Sequence, residues 1–191
     1  MSERARGVRL AEALARKWAR LAEALARRRV TLGFLVGAVV LWLAHPTRTT
    51  LLTGAGVAIA GEAFRFWAAG HLNKSREVTS SGPYRWCAHP LYVGSGVMGI
   101  GLAIASASVI VAVLVVAYLA VTLTAAVKSE EAFLRGKFGR RYESYRRGAL
   151  PEDGKPQRFS LAQAMANREH RAVAGLALAV LLLALRGRRG V

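Results

Sequence analysis

Cysteine is almost missing from this chain. Cys87 stands alone among 191 residues, which excludes an intramolecular disulfide framework and any CxxC or Cys/His zinc spacing. Histidine is scarcely commoner: His45, His71, His89 and His170 form neither HxxxH nor HExxH, so no metal site is expected. Acidic side chains are also few, 11 against 28 basic ones for a net charge of +17, and 23 of the basic residues are arginine. A surplus of that kind can serve nucleic acid, but no nucleic-acid-binding motif accompanies it. Anionic lipid headgroups are the simpler partner. No internal repeat is present. About 29 basic, helix-forming residues precede the first apolar run, so the N-terminus does not read as a cleavable signal.

What is abundant is apolar sequence, 53% of the residues, gathered in blocks between basic segments. That arrangement predicts an all-α, polytopic membrane helix bundle. The expected runs are 30–44, 49–70, 91–106 and 108–127, with a shorter one at 172–185, giving four to five spans. His45-Pro46-Thr47 and Ser106-Ala107-Ser108 are short enough to join antiparallel helix pairs. Ahead of the spans, Leu10, Leu14, Trp18, Leu21 and Leu25 make one narrow apolar stripe on a helix otherwise covered in arginine. Residues 1–29 are therefore expected to form an amphipathic helix on the headgroups, or a coiled-coil contact with a second copy, ahead of a membrane domain over 30–191. The sequence fixes no oligomeric state.

Lysine and arginine number nine before the first run, three in 71–90 and eleven in 128–171, whereas the turns at 45–48 and 106–108 hold only Arg48. The positive-inside rule then places the N-terminus and the segments 71–90 and 128–171 in the cytoplasm, and the small size and alanine/arginine-rich composition lead to the expectation of a bacterial inner membrane. Arg186, Arg188 and Arg189 run against that bias if the last run crosses fully.

Polar groups inside apolar runs are the first candidates for function. Glu62 and Arg65, three apart, share a helix face and can pair. Such residues are costly at membrane depth and usually have a reason to be there, as an internal lock or as part of a site. The stretch GPYRWCAHPLYVGS, residues 82–95, is richer. Gly82-Pro83 marks a turn, and Pro90 suits the first turn of the next helix. Gly94, Gly96, Gly99 and Gly101 then allow close approach of a neighbouring helix or a ligand. Helix packing explains those glycines, but not His89 and Tyr92 at a helix start, where free N–H groups also favour an anion. Further on, Leu134, Phe138, Tyr142 and Tyr145 fall at helical spacing and can cover the mouth of a bundle, with Glu130 and Glu131 just before them. Glu131 can pair with Arg135 on a solvated surface, or the glutamates can turn into a pocket and hold a cation.

GPYRWCAHPLYVG, followed about 35 residues later by EEAFLRGKFGRRYESYRR, resembles the paired signature of integral-membrane methyltransferases. These are the isoprenylcysteine carboxyl methyltransferases and the related phospholipid N-methyltransferases. The shared positions are Gly82, Pro83, Tyr84, Arg85, His89, Pro90, Tyr92 and Gly94, then Glu130, Glu131, Phe138, Gly139, Tyr142 and Tyr145. The likeness covers about residues 55–150, with core motifs in 82–147, and AGHLNKSREVTSSG leads into it. One departure is Ala88, where the family usually has arginine.

The resemblance implies S-adenosylmethionine as methyl donor. It implies catalytic roles for His89 and Arg85, and donor binding by Tyr84, His89, Pro90, Tyr92, Gly94, Glu130, Glu131 and Tyr142. Glu62, Arg65 and Asn73 become candidates for the acceptor. That acceptor is expected to be a lipophilic, membrane-dissolved carboxylate, amine, thiol or hydroxyl. Two alternatives stand beside this expectation: a nicotinamide-dependent membrane reductase of related architecture, and a catalytically degenerate scaffold or lipid-binding protein.

Overall fold

The computed structural model describes residues 29–188 except residue 75 and residues 150–157. The amphipathic helix expected over residues 3–29 lies outside them, apart from Arg29, and so does Arg189. Among the described residues every regular element is helical. They are α1 (Arg29–Leu43), α2 (Arg48–His71), a 3-10 turn (Gly82–Arg85), α3 (Pro90–Ser106), α4 (Val109–Phe138), α5 (Arg140–Arg146), α6 (Leu161–Ala166) and α7 (Glu169–Arg188).

Local chemistry sets the boundaries. Thr47 and Thr50 make a reciprocal capping box at the start of α2, each side-chain oxygen accepting from the other's backbone N–H at 3.2 and 3.0 Å. Pro90 occupies the first turn of α3, and Ala107 ends that helix in the left-handed region at φ 51°. Ser108 then caps α4 by accepting from Val111 N at 3.4 Å. The tight turn expected at 106–108 is therefore present. α4 does not stop with its apolar run at 127; Lys128 to Phe138 continue the same helix until Gly139, at φ 51°, breaks it. α7 is likewise longer than the expected run, beginning at Glu169.

α2 and α3 form the tightest pair, running antiparallel with glycine against glycine. A β-carbon on Gly61 would lie 2.6 Å from Met98 N and 2.8 Å from Gly94 O, and one on Gly101 would lie 2.6 Å from Gly54 O. Side chains are missing where the backbones touch, so the two helices approach to backbone contact. α4 and α7 complete the arrangement, both long and apolar enough to cross a membrane, while α3 is a shorter apolar helix of 17 residues. Many apolar side chains of α4 point outward, Val109 being 81% exposed and Val113 63%, while Val111 is buried. Contiguous apolar surface on that scale belongs against lipid or another protein.

The helices share two ends. At one, His45 N donates to Ser106 O at 2.9 Å. There Arg186 reaches Ala44 O and Trp42 O, at 3.4 and 3.2 Å, covering free carbonyls at the close of α1. At the other end α6 serves α2 in the same way. Gln163 Nε2 donates to Leu72 O at 2.8 Å, and Asn167 Nδ2 to Ala69 O at 2.8 Å. The second end also carries the 3-10 turn and the start of α3.

Gly101→Ala would push a methyl into the α2 backbone and should cost about 1–3 kcal/mol, the range for overpacking, seen as a lower thermal midpoint in detergent. Gly96 is different, because a methyl group there would meet nothing within 4 Å. Gly96→Ala should therefore leave the midpoint unchanged or raise it, and equal losses in both variants would contradict the packing described.

Candidate functional site

The stretch between α2 and α3 turns sharply before His89. Gly82-Pro83-Tyr84-Arg85 form the 3-10 turn, with Tyr84 buried and Arg85 and Trp86 exposed. Trp86 packs its ring on Trp67 at 5.8 Å. His89 is the N-cap of α3, yet its side chain makes no cap hydrogen bond. It turns instead to the polar last part of α4. Nε2 stands 3.3 Å from Glu131 Oε1, and Nδ1 stands 3.5 Å from Glu130 Oε2. The Tyr92 ring lies 5.8 Å from the imidazole. The two motifs are thus brought together across 42 residues.

The two glutamates are not equivalent. Glu131 faces His89, Arg135 at 3.5 Å and Arg146 at 3.1 Å, the last supplied by α5. Glu130 has more solvent and fewer cations, and also touches Tyr92. The two ring nitrogens of His89 face different carboxylates, so the three side chains do not converge on one point. Among the described residues no group of histidine, cysteine, aspartate or glutamate is placed to hold a metal ion.

Beneath this cluster lies an apolar patch of Val78, Tyr142 and Tyr145, with Ala88, Leu134 and Phe138 against it. The stripe expected from helical spacing does cover the bundle mouth, although Gly139 divides it between α4 and α5. Ala88 is part of this packing. Tyr145 Oη donates to Tyr84 O at 2.7 Å, tying α5 to the 3-10 turn. Tyr142 is 1% exposed and its hydroxyl is buried without a hydrogen-bond partner. His89 Nδ1 is also without a hydrogen bond, so Glu130 acts on it as a charge across 3.5 Å. Buried polar atoms left unmatched are uncommon in native proteins and call for a reason.

Gly94 and Asn73 have contacts of their own. Gly94 is buried where Arg65 and the α2 backbone press on α3, so its missing side chain is accounted for by helix contact. Asn73 spends its amide on Glu77 Oε1 at 2.9 Å within the loop. Glu62 and Arg65 do pair, at 3.4 Å, but Arg65 Nε makes its hydrogen bond to Glu169 Oε1 at 2.7 Å and Nη1 donates to Ser95. Glu169 and Arg146 are the members that sequence reasoning missed. Glu169 stands three residues before the expected last run, and a carboxylate in the first turn of a helix is the signal that would have found it.

Charge sets the titration of the cluster. The Glu130 carboxylate raises His89 above its ordinary pKa, burial opposes the shift, and Glu131 reinforces it. Burial pushes Glu130 up, but the contacts of His89 and Tyr92 and the charge of Lys74 outweigh it, leaving the carboxyl below its usual range. The stabilisation carried by His89 is full below its unfolded value of 6.5 and is lost as pH rises through the folded one. That carried by Glu130 is present above 4.5 and is lost as pH falls through the depressed value. The difference in thermal midpoint between the native protein and His89→Gln should therefore peak at about pH 5.5 and shrink by pH 9. A difference independent of pH would mean that His89 is not charged by its neighbours. Tyr145→Phe, which strips a buried carbonyl of its donor, should cost about 1–3 kcal/mol on the same scale.

Comparison with known proteins agrees with the paired motifs. The phospholipid methyltransferase family profile matches residues 29–141. The nickel-cobalt-cadmium resistance protein NccN of Alcaligenes xylosoxydans xylosoxydans is 31% identical over 99 residues, covering 51% of this chain and 45% of that protein. The cobalt-zinc-cadmium resistance protein CzcN of Cupriavidus metallidurans is 33% identical over 101 residues, covering 51% of this chain and 44% of that protein. The match thus spans a little under half the length of these curated relatives. No solved structure matches. With the family match extending from the first helix into α5, this membrane protein belongs to the phospholipid methyltransferase family, whose members use S-adenosylmethionine.

Proposed function

We propose that the chain transfers a methyl group from S-adenosylmethionine to a lipophilic acceptor dissolved in the membrane. The observation that carries this reading is His89 set between Glu130 and Glu131. It joins a helix start to an acidic pair in a protein of a methyltransferase family.

The residues present fit the donor. Glu130, with fewer cations on it than Glu131, is the carboxylate free to take an ammonium. Glu131 holds Arg146 and Arg135 beside it, so a guanidinium is in place for the donor's carboxylate although residue 88 is alanine. Arg65 is taken up elsewhere, by Glu62, Glu169 and Ser95. Tyr92, whose ring lies beside His89, offers an aromatic face for a cation. When bound, the donor supplies a methyl group already activated by its sulfonium, so the protein needs no nucleophile of its own. Its part is to position and to exclude water, for which buried Tyr84, Pro90 and Tyr142 are suited. His89 is the base within reach should the acceptor need to lose a proton. Arg85, exposed on the 3-10 turn, is left to meet the donor or the acceptor headgroup from the water side.

The same reading orders the membrane arrangement. α1, α2, α3, α4 and α7 run between the same two ends, which supports five spans with the site end in the cytoplasm, as the lysine and arginine distribution favours. Arg186, one of the three arginines at odds with that bias, is occupied by the carbonyls of Trp42 and Ala44. The bacterial sources of both relatives support an inner-membrane location.

Incubating membranes that contain the protein with methyl-labelled S-adenosylmethionine should label an extractable lipophilic fraction. Calorimetry in detergent should give heat with S-adenosylmethionine and its demethylated product but not with a reduced nicotinamide cofactor. Glu130→Gln and Glu131→Gln should each weaken donor affinity about tenfold, the size of one lost charge-assisted contact. Unchanged affinity in folded variants would remove the acidic pair from the donor site.

A further inference from the structure

Glu169 lies outside the donor cluster, yet it is only 4% exposed in the first turn of α7. It also lies beyond the family match, which ends at residue 141. The chain is bent to bring it there. α6 and α7 are joined through Arg168, whose φ of 63° falls in the left-handed region that a residue with a β-carbon rarely adopts. On one side of the bend Asn167 Nδ2 donates to Ala69 O and Leu72 O at 2.8 and 2.9 Å. On the other, Glu169 Oε1 accepts from Arg65 Nε at 2.7 Å. Strain of this kind persists only where surrounding contacts hold it, and both contacts are made to α2.

Arg65 stands between two carboxylates. Glu62, three residues earlier on the same helix, is 3.4 Å from Nε but accepts no hydrogen bond from it. Glu169 takes that bond, and Nη1 is turned to α3, where it donates to Ser95. The missing side chain of Gly94 leaves room for the arginine stem to lie there. Ser95 Oγ in turn donates to Leu91 O at 2.8 Å. Leu91 is in the first turn of α3, between His89 and Tyr92. A chain of hydrogen bonds thus runs from α7 through α2 into the turn that presents two residues of the donor site. Its first link is charge-assisted and short of water, the side chains of Arg65 and Glu169 being 19% and 5% exposed. Without the charge of Glu169, the nearest carboxylate for Arg65 is Glu62 on its own helix, and nothing directs the guanidinium to α3.

We infer that Glu169 is a positioning residue for the donor site: it holds Arg65 on Ser95, and so keeps the first turn of α3, with His89 and Tyr92, against the acidic pair of α4. What the site binds rests on the methyl-transfer reading; how His89 is held does not. Glu169 touches neither donor nor acceptor and acts only through Arg65 and Ser95. The C-terminal helices, outside the family match, are then part of what shapes the site and not only a further span. The two clusters are near one another. Tyr84 is pushed well above the usual phenol range by burial first and then by Glu130, with Glu169 a smaller contributor.

The test uses the full-length protein in detergent. His89 is titrated by NMR of labelled histidine rings, its signal assigned with His89→Gln, and donor affinity is measured by calorimetry with S-adenosylmethionine. Glu169→Gln and Ser95→Ala should each lower the His89 midpoint toward its ordinary 6.5. Each should also weaken donor affinity about fivefold, within the range for residues that act on a site through their neighbours. Ser95→Ala changes no charge, so its effect on His89 cannot come from an altered field, and it decides the matter if Glu169→Gln does not fold. Gln163→Ala, which takes one cap from α2 at Leu72 without touching Arg65, should change neither readout. Native values of both in folded Glu169→Gln and Ser95→Ala would overturn the inference. So would an equal shift in Gln163→Ala, which would make the effect one of general loosening. The titration needs no donor, so the two readings fail separately. Donor binding with His89 unmoved in the variants defeats the positioning role alone. A shifted His89 in a protein that binds no donor defeats methyl transfer and leaves Glu169 as the residue that sets His89 in place.

Discussion

Two helices can lie backbone against backbone only where side chains are missing, and that constraint organises this molecule. Gly54 and Gly61 on α2 meet Gly101 and Gly94 on α3 in reciprocal pairs. Because the pairs are seven residues apart on each helix, they sit two turns apart on one face, and the contact fixes the register of the two helices as well as their separation. Arg65, one turn from Gly61, is thereby laid across Gly94 and held to Ser95. His89, just before α3, is held at the end of the pair. A shift of one turn along this seam would move Arg65 away from Ser95 and carry His89 away from the acidic pair on α4. Both clusters depend on the register.

The clusters solve different electrostatic problems. At the bundle end, water and several arginines are near, so Glu131 can satisfy three cations and Glu130 can stay partly exposed. Farther along α2, Arg65 stands between Glu62 and Glu169 and gives its carboxylate hydrogen bond to Glu169. The first arrangement is stable and still has spare capacity for a charged, water-soluble molecule. Tyr145, fastened to the Tyr84 carbonyl, keeps α5 and its Arg146 over the first cluster. That contact couples the cation on Glu131 to the backbone turn that precedes His89.

Much of this was legible in the residues. Apolar blocks gave the helices because uninterrupted runs bounded by Pro, Ser and Thr leave few other solutions, and the Glu62–Arg65 pair followed from spacing of three on a helix. The meeting of His89 with Glu130 and Glu131 did not follow from periodicity. It spans 42 residues and came from the likeness of two ordered motifs. The segment from Lys128 to Phe138 already read as helical from the spacing of Leu134 and Phe138 and of Glu131 and Arg135, but its unbroken continuation from the apolar part of α4 was not legible, because hydropathy falls sharply at Lys128. Glu169 was hidden for the opposite reason: it lies in a polar segment before an apolar run, and only the return of α7 along α2 places it on Arg65. Ala88, a departure from the family pattern, gained its explanation only from neighbours distant in sequence, the tyrosines and Phe138 packed around it.

In a chain of net charge +17, where acidic residues stand matters more than that they exist. Six glutamates fall among the described residues, and four of them, Glu62, Glu130, Glu131 and Glu169, occupy the two clusters. Dispersed over the surface they would offset arginine and favour solubility. Gathered in partly dry places they instead hold basic partners at short range, His89, Arg135 and Arg146 around one pair and Arg65 between the other, where the attraction is weakly screened because water is scarce. Of the four, Glu130 keeps the most solvent around it, so a further cation arriving from the water side would meet it first.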